Sequence, residues 1–222
     1  MKLYHFSFFS PILLQENKIN VIIVENESLF YSMMNDLRHQ ADGEEGSFIL
    51  SINNEEIQIS KTLVFVDNLF TFGMNEKKLM TGVVQKLSAI AMDEDYYYET
   101  QELLQSIEMY VGKILTEFDF SVCMENPPDI NDIFKASDLK LFDGSESLPD
   151  RICEYVRLYQ NLFNKKVFAF LNLKQFLTAD ELKKIYKFFH YEKLQLILFE
   201  GMQKDALEDE NTLIIDKDLC II

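Results

Sequence analysis

"KKVFAFLNLKQFLTADELKKIYKFFHYEKLQLILFE", residues 165–200, decides the fold. Its two apolar runs, "VFAFL" (167–171) and "LQLILF" (194–199), are rich in β-branched and aromatic residues and alternate little. That is the pattern of strands covered on both faces. Between them Thr178 and Glu181 have the spacing of a capping box, followed by Leu182, Ile185, Tyr186 and Phe189 on one helical face. Strand, turn, helix and strand in that order belong to an α/β core of the nucleotide-binding kind. Lys165 and Lys166 ahead of the first strand, with Lys183, Lys184 and Lys187 on the helix, read as a solvated basic face.

Working outward, "INVIIV" (19–24) and "TLVFV" (62–66) are two more buried-strand candidates. Asn53-Asn54, between "SFILSI" and "EEIQIS", predicts a small hairpin. From Glu76 to Leu115 the apolar residues take helical spacing: Leu79, Val83, Leu87 and Ile90, then Leu103, Ile107, Tyr110, Val111 and Ile114. The break at "MDEDYYYET" predicts two long antiparallel helices. A short helix is expected over Asp129–Ala136, and another from Ser147, with Pro149 and Asp150 in its first turn, through Ile152, Val156, Tyr159 and Phe163. The expectation is an α/β head, residues 1–75 with 164–222, carrying a helical leg inserted at 76–163.

The composition is that of a globular protein, 48% hydrophobic and 26% charged over 222 residues. A net charge of −16 argues against nucleic-acid binding through the whole surface but leaves room for a local basic patch. Cys123, Cys153 and Cys220 form no metal-spaced pair and no disulfide framework. The start, "MKLYHFSFFSPILL", lacks a signal-peptide apolar core, and no stretch reaches the ~18 apolar residues of a membrane span. A reducing, cytoplasmic location without a membrane is expected.

The chemistry of a nucleotide site is missing. A phosphate loop needs Gly-x-x-x-x-Gly-Lys-Ser/Thr between strand and helix, and Gly112-Lys113 lies inside a helical run. After the first strong strand, Glu25 and Glu27 would repel a triphosphate. Asp67, closing "TLVFVD", resembles a metal-binding strand-end aspartate, but such residues more commonly cap a turn. His5, His39 and His190 are isolated, and no Gly-x-Ser-x-Gly elbow exists. The richest cluster is "TEFDFSVCMENPPDINDIF" (116–134), with Glu117, Asp119, Glu125, Asp129 and Asp132. It could supply several oxygens to a hard cation such as calcium, or be a solvated acidic loop.

"FSFFSPILL", "NVIIVENESLFYSMMNDL", "LVFVDNLFTFGMNEKKLM", "ILTEFDF" and the opening stretch, in this order, resemble the CRISPR-associated spacer-acquisition proteins of type II-A loci, the Csn-two type. The resemblance implies a non-enzymatic protein with a degenerate nucleotide-binding-like head and an extended helical leg. It implies a homotetrameric ring whose basic hole takes double-stranded DNA ends without reading sequence, together with other CRISPR adaptation proteins as partners. It also implies calcium on acidic residues of the leg: Glu117 and Asp119 fall on the family's E-x-D step. Beyond it this sequence departs, with Ser121 and a Pro-Pro insertion, where Glu125, Asp129 and Asp132 would stand in. Lys135 and Lys140 match a basic pair that would line the hole. Two other readings stay open: a metal-dependent nuclease or phosphatase using the 117–132 carboxylates with Asp67, and a protein-binding scaffold without DNA affinity.

Overall fold

The computed structural model describes residues 1–142, 144 and 147–222. In chain order its elements are β1 (Lys2–Tyr4), β2 (Ile12–Leu13), β3 (Ile19–Val24), α1 (Glu27–Asp42), β4 (Ile49–Ile52), β5 (Glu55–Ile57), α2 (Ile59–Thr62) and β6 (Leu63–Val66). Then follow α3 (Lys77–Ala91), α4 (Tyr97–Leu115), α5 (Ile130–Ala136), α6 (Leu148–Phe163), β7 (Val167–Leu171), α7 (Ala179–Tyr191), β8 (Gln195–Glu200) and β9 (Glu210–Ile215). A 3-10 turn, Leu173–Gln175, follows β7. The chain divides into two compact units, Met1–Gly73 with Gly144–Ile222, and Met74–Asp143.

The first unit is built on a five-stranded parallel sheet in the order β6-β7-β8-β3-β9. Every residue of β3 and β8 is buried, as unbroken apolar runs require. On one face Ile22, Val24, Ala169, Ile197 and Phe199 pack with Met33 and Leu37 of α1 and with Leu3 and Leu50 of a second sheet. On the other face Phe168 meets Phe189 of α7 edge to face at 5.8 Å. The second sheet is antiparallel, β2-β1-β4-β5. Its hairpin turns on Asn53 and Asn54, both left-handed at φ 53° and 67°. A two-residue turn that matches strand twist needs that conformation, and asparagine adopts it at low cost.

The stretch at 165–200 folds as a βαβ unit with its capping box made: Glu181 N donates to Thr178 Oγ1 at 3.3 Å, and Thr178 N donates to Glu181 Oε2 at 2.8 Å. Leu182, Ile185, Tyr186 and Phe189 are the buried face of α7. Asn172, left-handed at φ 53°, joins the two strand ends, accepting from Gly201 N at 3.0 Å and donating its own amide to Phe199 O at 2.8 Å.

Three expectations change. Lys165 does not belong to the solvated face: it is buried, and its ammonium donates to the carbonyls of Ser60 and Leu63. The helix α6, expected in the insertion, lies in the first unit, because Ile152, Tyr155, Val156 and Tyr159 are a broad buried face. Finally, α3 and α4 are not paired along their lengths. Within the second unit α3 packs on α5, and α4 buries Thr100 alone, whose hydroxyl donates to Ala91 O at 2.7 Å. The acidic turn lets only the first turn of α4 meet the end of α3.

The sheet's C-terminal strand is anchored by charge. Lys174, in the turn after β7, places Nζ 2.8 Å from both carboxylate oxygens of Glu210 and donates to Asp205 O at 2.9 Å. The Tyr186 hydroxyl donates to the same carboxylate at 2.7 Å, so burial and the Glu210 hydrogen bond hold this phenol far above its ordinary range. Beside them Glu200 is fully buried, accepting the Lys174 amide at 2.8 Å through one oxygen while the other has no partner. Burial pushes Glu200 up from 4.5 to about 7, against the opposing pull of the Lys174 amide and ammonium. The folded state therefore favours the protonated carboxyl. Its contribution to stability is complete below 4.5 and is lost as pH rises through about 7. Between pH 4.5 and 8 the loss is on the order of 3 kcal/mol. Chemical unfolding across that range should show Glu200→Gln flattening the fall; an unchanged slope would refute this assignment.

Candidate functional site

In the second unit α5 is held against α3 by named polar contacts. Asp129 caps α5, accepting from Asn131 N at 2.6 Å and Asn131 Nδ2 at 2.8 Å, which holds its carboxyl below the usual range. Asn131 Oδ1 in turn accepts from the Ser88 hydroxyl of α3 at 2.7 Å. The chain after α5 is tied back to the start of α3 by Asn75, which accepts from Leu141 N at 2.8 Å and donates to Leu141 O at 3.0 Å. These contacts frame an open cleft of about 720 Å³ on this unit.

Lys135 and Lys140 both line that cleft, and Lys77, which the sequence reading passed over, joins them. Among the described residues Asp138 is the one carboxylate on its wall. Lys135 pairs with Asp132 at 3.1 Å and Lys140 with Asp138 at 3.3 Å, all four side chains largely exposed. Exposed pairs of this kind are worth little and yield readily to a phosphate. Met80, Val84 and Phe134 supply an apolar wall. Lys77 could have been found from the pattern "NEKKLM", a lysine pair opening a helix where acidic residues are usual.

The expected calcium ligands are not brought together. Glu117, Asp119 and Glu125 are exposed in the segment after α4, Asp129 is occupied as a helix cap, and Asp132 is paired with Lys135. Among the described residues no group of three or more His, Cys, Asp or Glu side chains could hold a metal ion. As arranged, these residues do not supply the six to eight oxygens a calcium ion takes. Asp67 lies in the other unit and pairs with Arg38 at 3.4 Å.

At the β3–α1 junction, where a phosphate loop would sit, the residues repel one. Asn26 spends its side chain on Leu29 N at 3.0 Å, and Glu25, Glu27, Phe30 and Tyr31 line a small cleft of about 260 Å³. The histidines play other parts. His5 is buried against Phe8 and Phe48, where burial lowers its pKa, and His39 pairs with Glu44 at 3.1 Å. No helix among the described residues is long and apolar enough to cross a membrane.

The family profile and the sequence relatives agree. The family profile described as CRISPR-associated protein (Cas_Csn2) matches residues 40–219. A CRISPR-associated protein Csn2 of Streptococcus agalactiae is 21% identical over 209 residues, 91% of this chain and 89% of that protein. A CRISPR-associated protein Csn2 of Enterococcus faecalis is 20% identical over 165 residues, 74% of each chain. Among solved structures, a putative ABC transporter ATP-binding protein of Pyrococcus furiosus aligns over 96% of this chain and 97% of its own, at 11% identity and a TM-score of 0.41.

The cap on α5 is the contact on which the lysine cleft depends. Asp129→Ala should quicken amide exchange in the first turn of α5 roughly fivefold, while exchange in β3 and β8 stays as it is. Unchanged protection in α5 would show that Asn131 and packing alone hold the helix.

Proposed function

Since the chain belongs to the CRISPR-associated Csn2 family, we propose that it acts in spacer acquisition as a non-enzymatic protein that binds double-stranded DNA ends as a homotetrameric ring. The observation that carries the DNA reading is the cleft lined by Lys77, Lys135 and Lys140, where the ion pairs of Lys135 with Asp132 and Lys140 with Asp138 are exposed and open to exchange for a phosphate, in a chain of net charge −16. A ring of four chains repeats each lysine four times around one bore, so local positive potential arises inside an acidic protein. Phosphate contacts of that kind fix position without reading bases.

Self-association draws support from α4. Leu103, Tyr110 and Ile114 are exposed at 47%, 65% and 51%, an apolar stripe along one face of the helix that the described residues leave open. A face of this size on one helix marks a protein contact, and a second copy of the chain is the partner we assign to it. The work is cytoplasmic and shared with the other CRISPR adaptation proteins. Calcium, which the family resemblance implies, would be held by acidic residues of the leg, of which no three converge among the described residues.

Linear duplex should be retarded in gels and closed circular duplex released; equal retention of both would exclude a threaded ring. Raising salt from ~50 to ~200 mM should weaken binding on the order of a thousandfold, and a flat response would exclude phosphate contacts. A tetramer that retains no DNA of any shape would make the protein a scaffold instead. In solution Leu103→Glu combined with Tyr110→Glu should lower the measured mass toward one chain, and an unchanged mass would move the subunit contact away from α4.

A further inference from the structure

The helix α3 starts with an excess of cations. Its first turn carries Lys77 and Lys78 and no acidic residue. By contrast α1, α4, α6 and α7 begin with Glu27, Glu99, Asp150, and Asp180 with Glu181. A helix start is already positive, so two added ammonium groups raise the cost unless an anion sits there. One carboxylate, that of the N-cap residue Glu76, stands at this start against the two ammonium groups.

The cleft at this helix start has two kinds of wall. One carries Lys77, Lys135 and Lys140; the other carries the half-buried Phe134 with Met80 and Val84. Its volume of about 720 Å³ lies in the range of small-molecule sites. An inorganic anion has no use for an aromatic and aliphatic wall, and a duplex backbone shows it no base face. A nucleotide uses both: its phosphate meets the lysines and its base lies on the ring.

We propose that this cleft binds a nucleoside phosphate, with the phosphate on Lys77, Lys135 and Lys140 and the base against Phe134. The assignment rests on the DNA-end reading above, in which the ligand is the unstacked terminal nucleotide of a duplex. A free nucleotide shares the chemistry, and the test separates the two sources.

The probe is 2-aminopurine, an adenine analogue that brightens when it leaves the base stack; the chain contains no tryptophan to obscure it. Placed at a duplex terminus it should brighten on binding, and placed internally it should not. Phe134→Ala should abolish the terminal signal and weaken free-ended duplex roughly tenfold. Lys77→Ala should weaken free-ended duplex several-fold and leave duplex closed by hairpins at both ends unaffected. Lys77 is exposed, so this variant decides the matter should Phe134→Ala fail to fold. Duplex bound with no terminal brightening, or Lys77→Ala weakening both duplexes alike, overturns the proposal. A protein that retains no duplex refutes the DNA-end reading, and the cleft is then judged on 2-aminopurine deoxyriboside monophosphate alone. Saturable binding lost in Lys77→Ala keeps the site and assigns a free nucleotide as its ligand; no binding overturns it.

Discussion

A parallel sheet buried on both faces keeps water from any charge at its strand ends, and in this protein one such charge pair anchors the last strand. Lys174 and Glu210 are buried together, and every other contact around them serves to complete their hydrogen bonds. Removing one partner of a pair like this costs about 3–5 kcal/mol, because the other is left uncompensated. The location explains why the cost is tolerated. β9 is an edge strand whose apolar residues all lie in its second half, Leu213 to Ile215, which leaves its first half without apolar packing. Its register on β3 is therefore set at its first residue, where Glu210 reaches both the turn after β7 and Tyr186 of α7.

Glu200 shows what this arrangement requires of its neighbours. Its carboxyl closes β8 a short reach from the pair, and one oxygen meets nothing. A second carboxylate beside Glu210 would be repelled if ionised, and burial already disfavours its charge, so both effects favour its neutral form. The same strand ends, in a nucleotide-binding protein, would lie open to a ligand. Here they are closed by Asn172, by the buried pair, and by the Asn26 cap with acidic and aromatic side chains around it.

Much of the first unit was legible because its signals are local. Unbroken apolar runs fixed β3, β7 and β8 to within a residue, Thr178 and Glu181 fixed the start of α7, and Asn53-Asn54 fixed the hairpin. Buried polar residues were not legible. Lys165 sits next to Lys166 in the sequence and reads as solvated, while its partners, the carbonyls of Ser60 and Leu63, lie some hundred residues away. Lys174, Glu200 and Glu210 were missed for the same reason, since a lone charge in a polar stretch gives no sign of its burial. In the second unit periodicity located α3 and α4 but not what covers them. Helical spacing states that a face is apolar; the partner lies outside the pattern. The acidic segment at 116–134 shows the opposite limit, because closeness in sequence does not make carboxylates converge: Asp129 and Asp132 each have a local partner.

The second unit breaks two rules of a self-sufficient chain, and the violations are of different kinds. α4 exposes an apolar face that water disfavours, and α3 opens with cations that its own dipole disfavours. Neither fault would relieve the other, since an apolar face does not neutralise lysines and a carboxylate does not cover leucine. Each favours its own partner: a matching apolar surface for α4, and for the start of α3, where Glu76 alone faces two lysines, a further anion. Local rules broken with incomplete compensation inside the chain are where function is expected to lie. The unit that carries them is also the one with the less extensive core, α3 burying Leu79, Gly82 and Ser88 and α4 Thr100 alone. Its stability and its activity should then be linked, because the same partners that complete the cleft and the helix face also supply the burial that the single chain lacks.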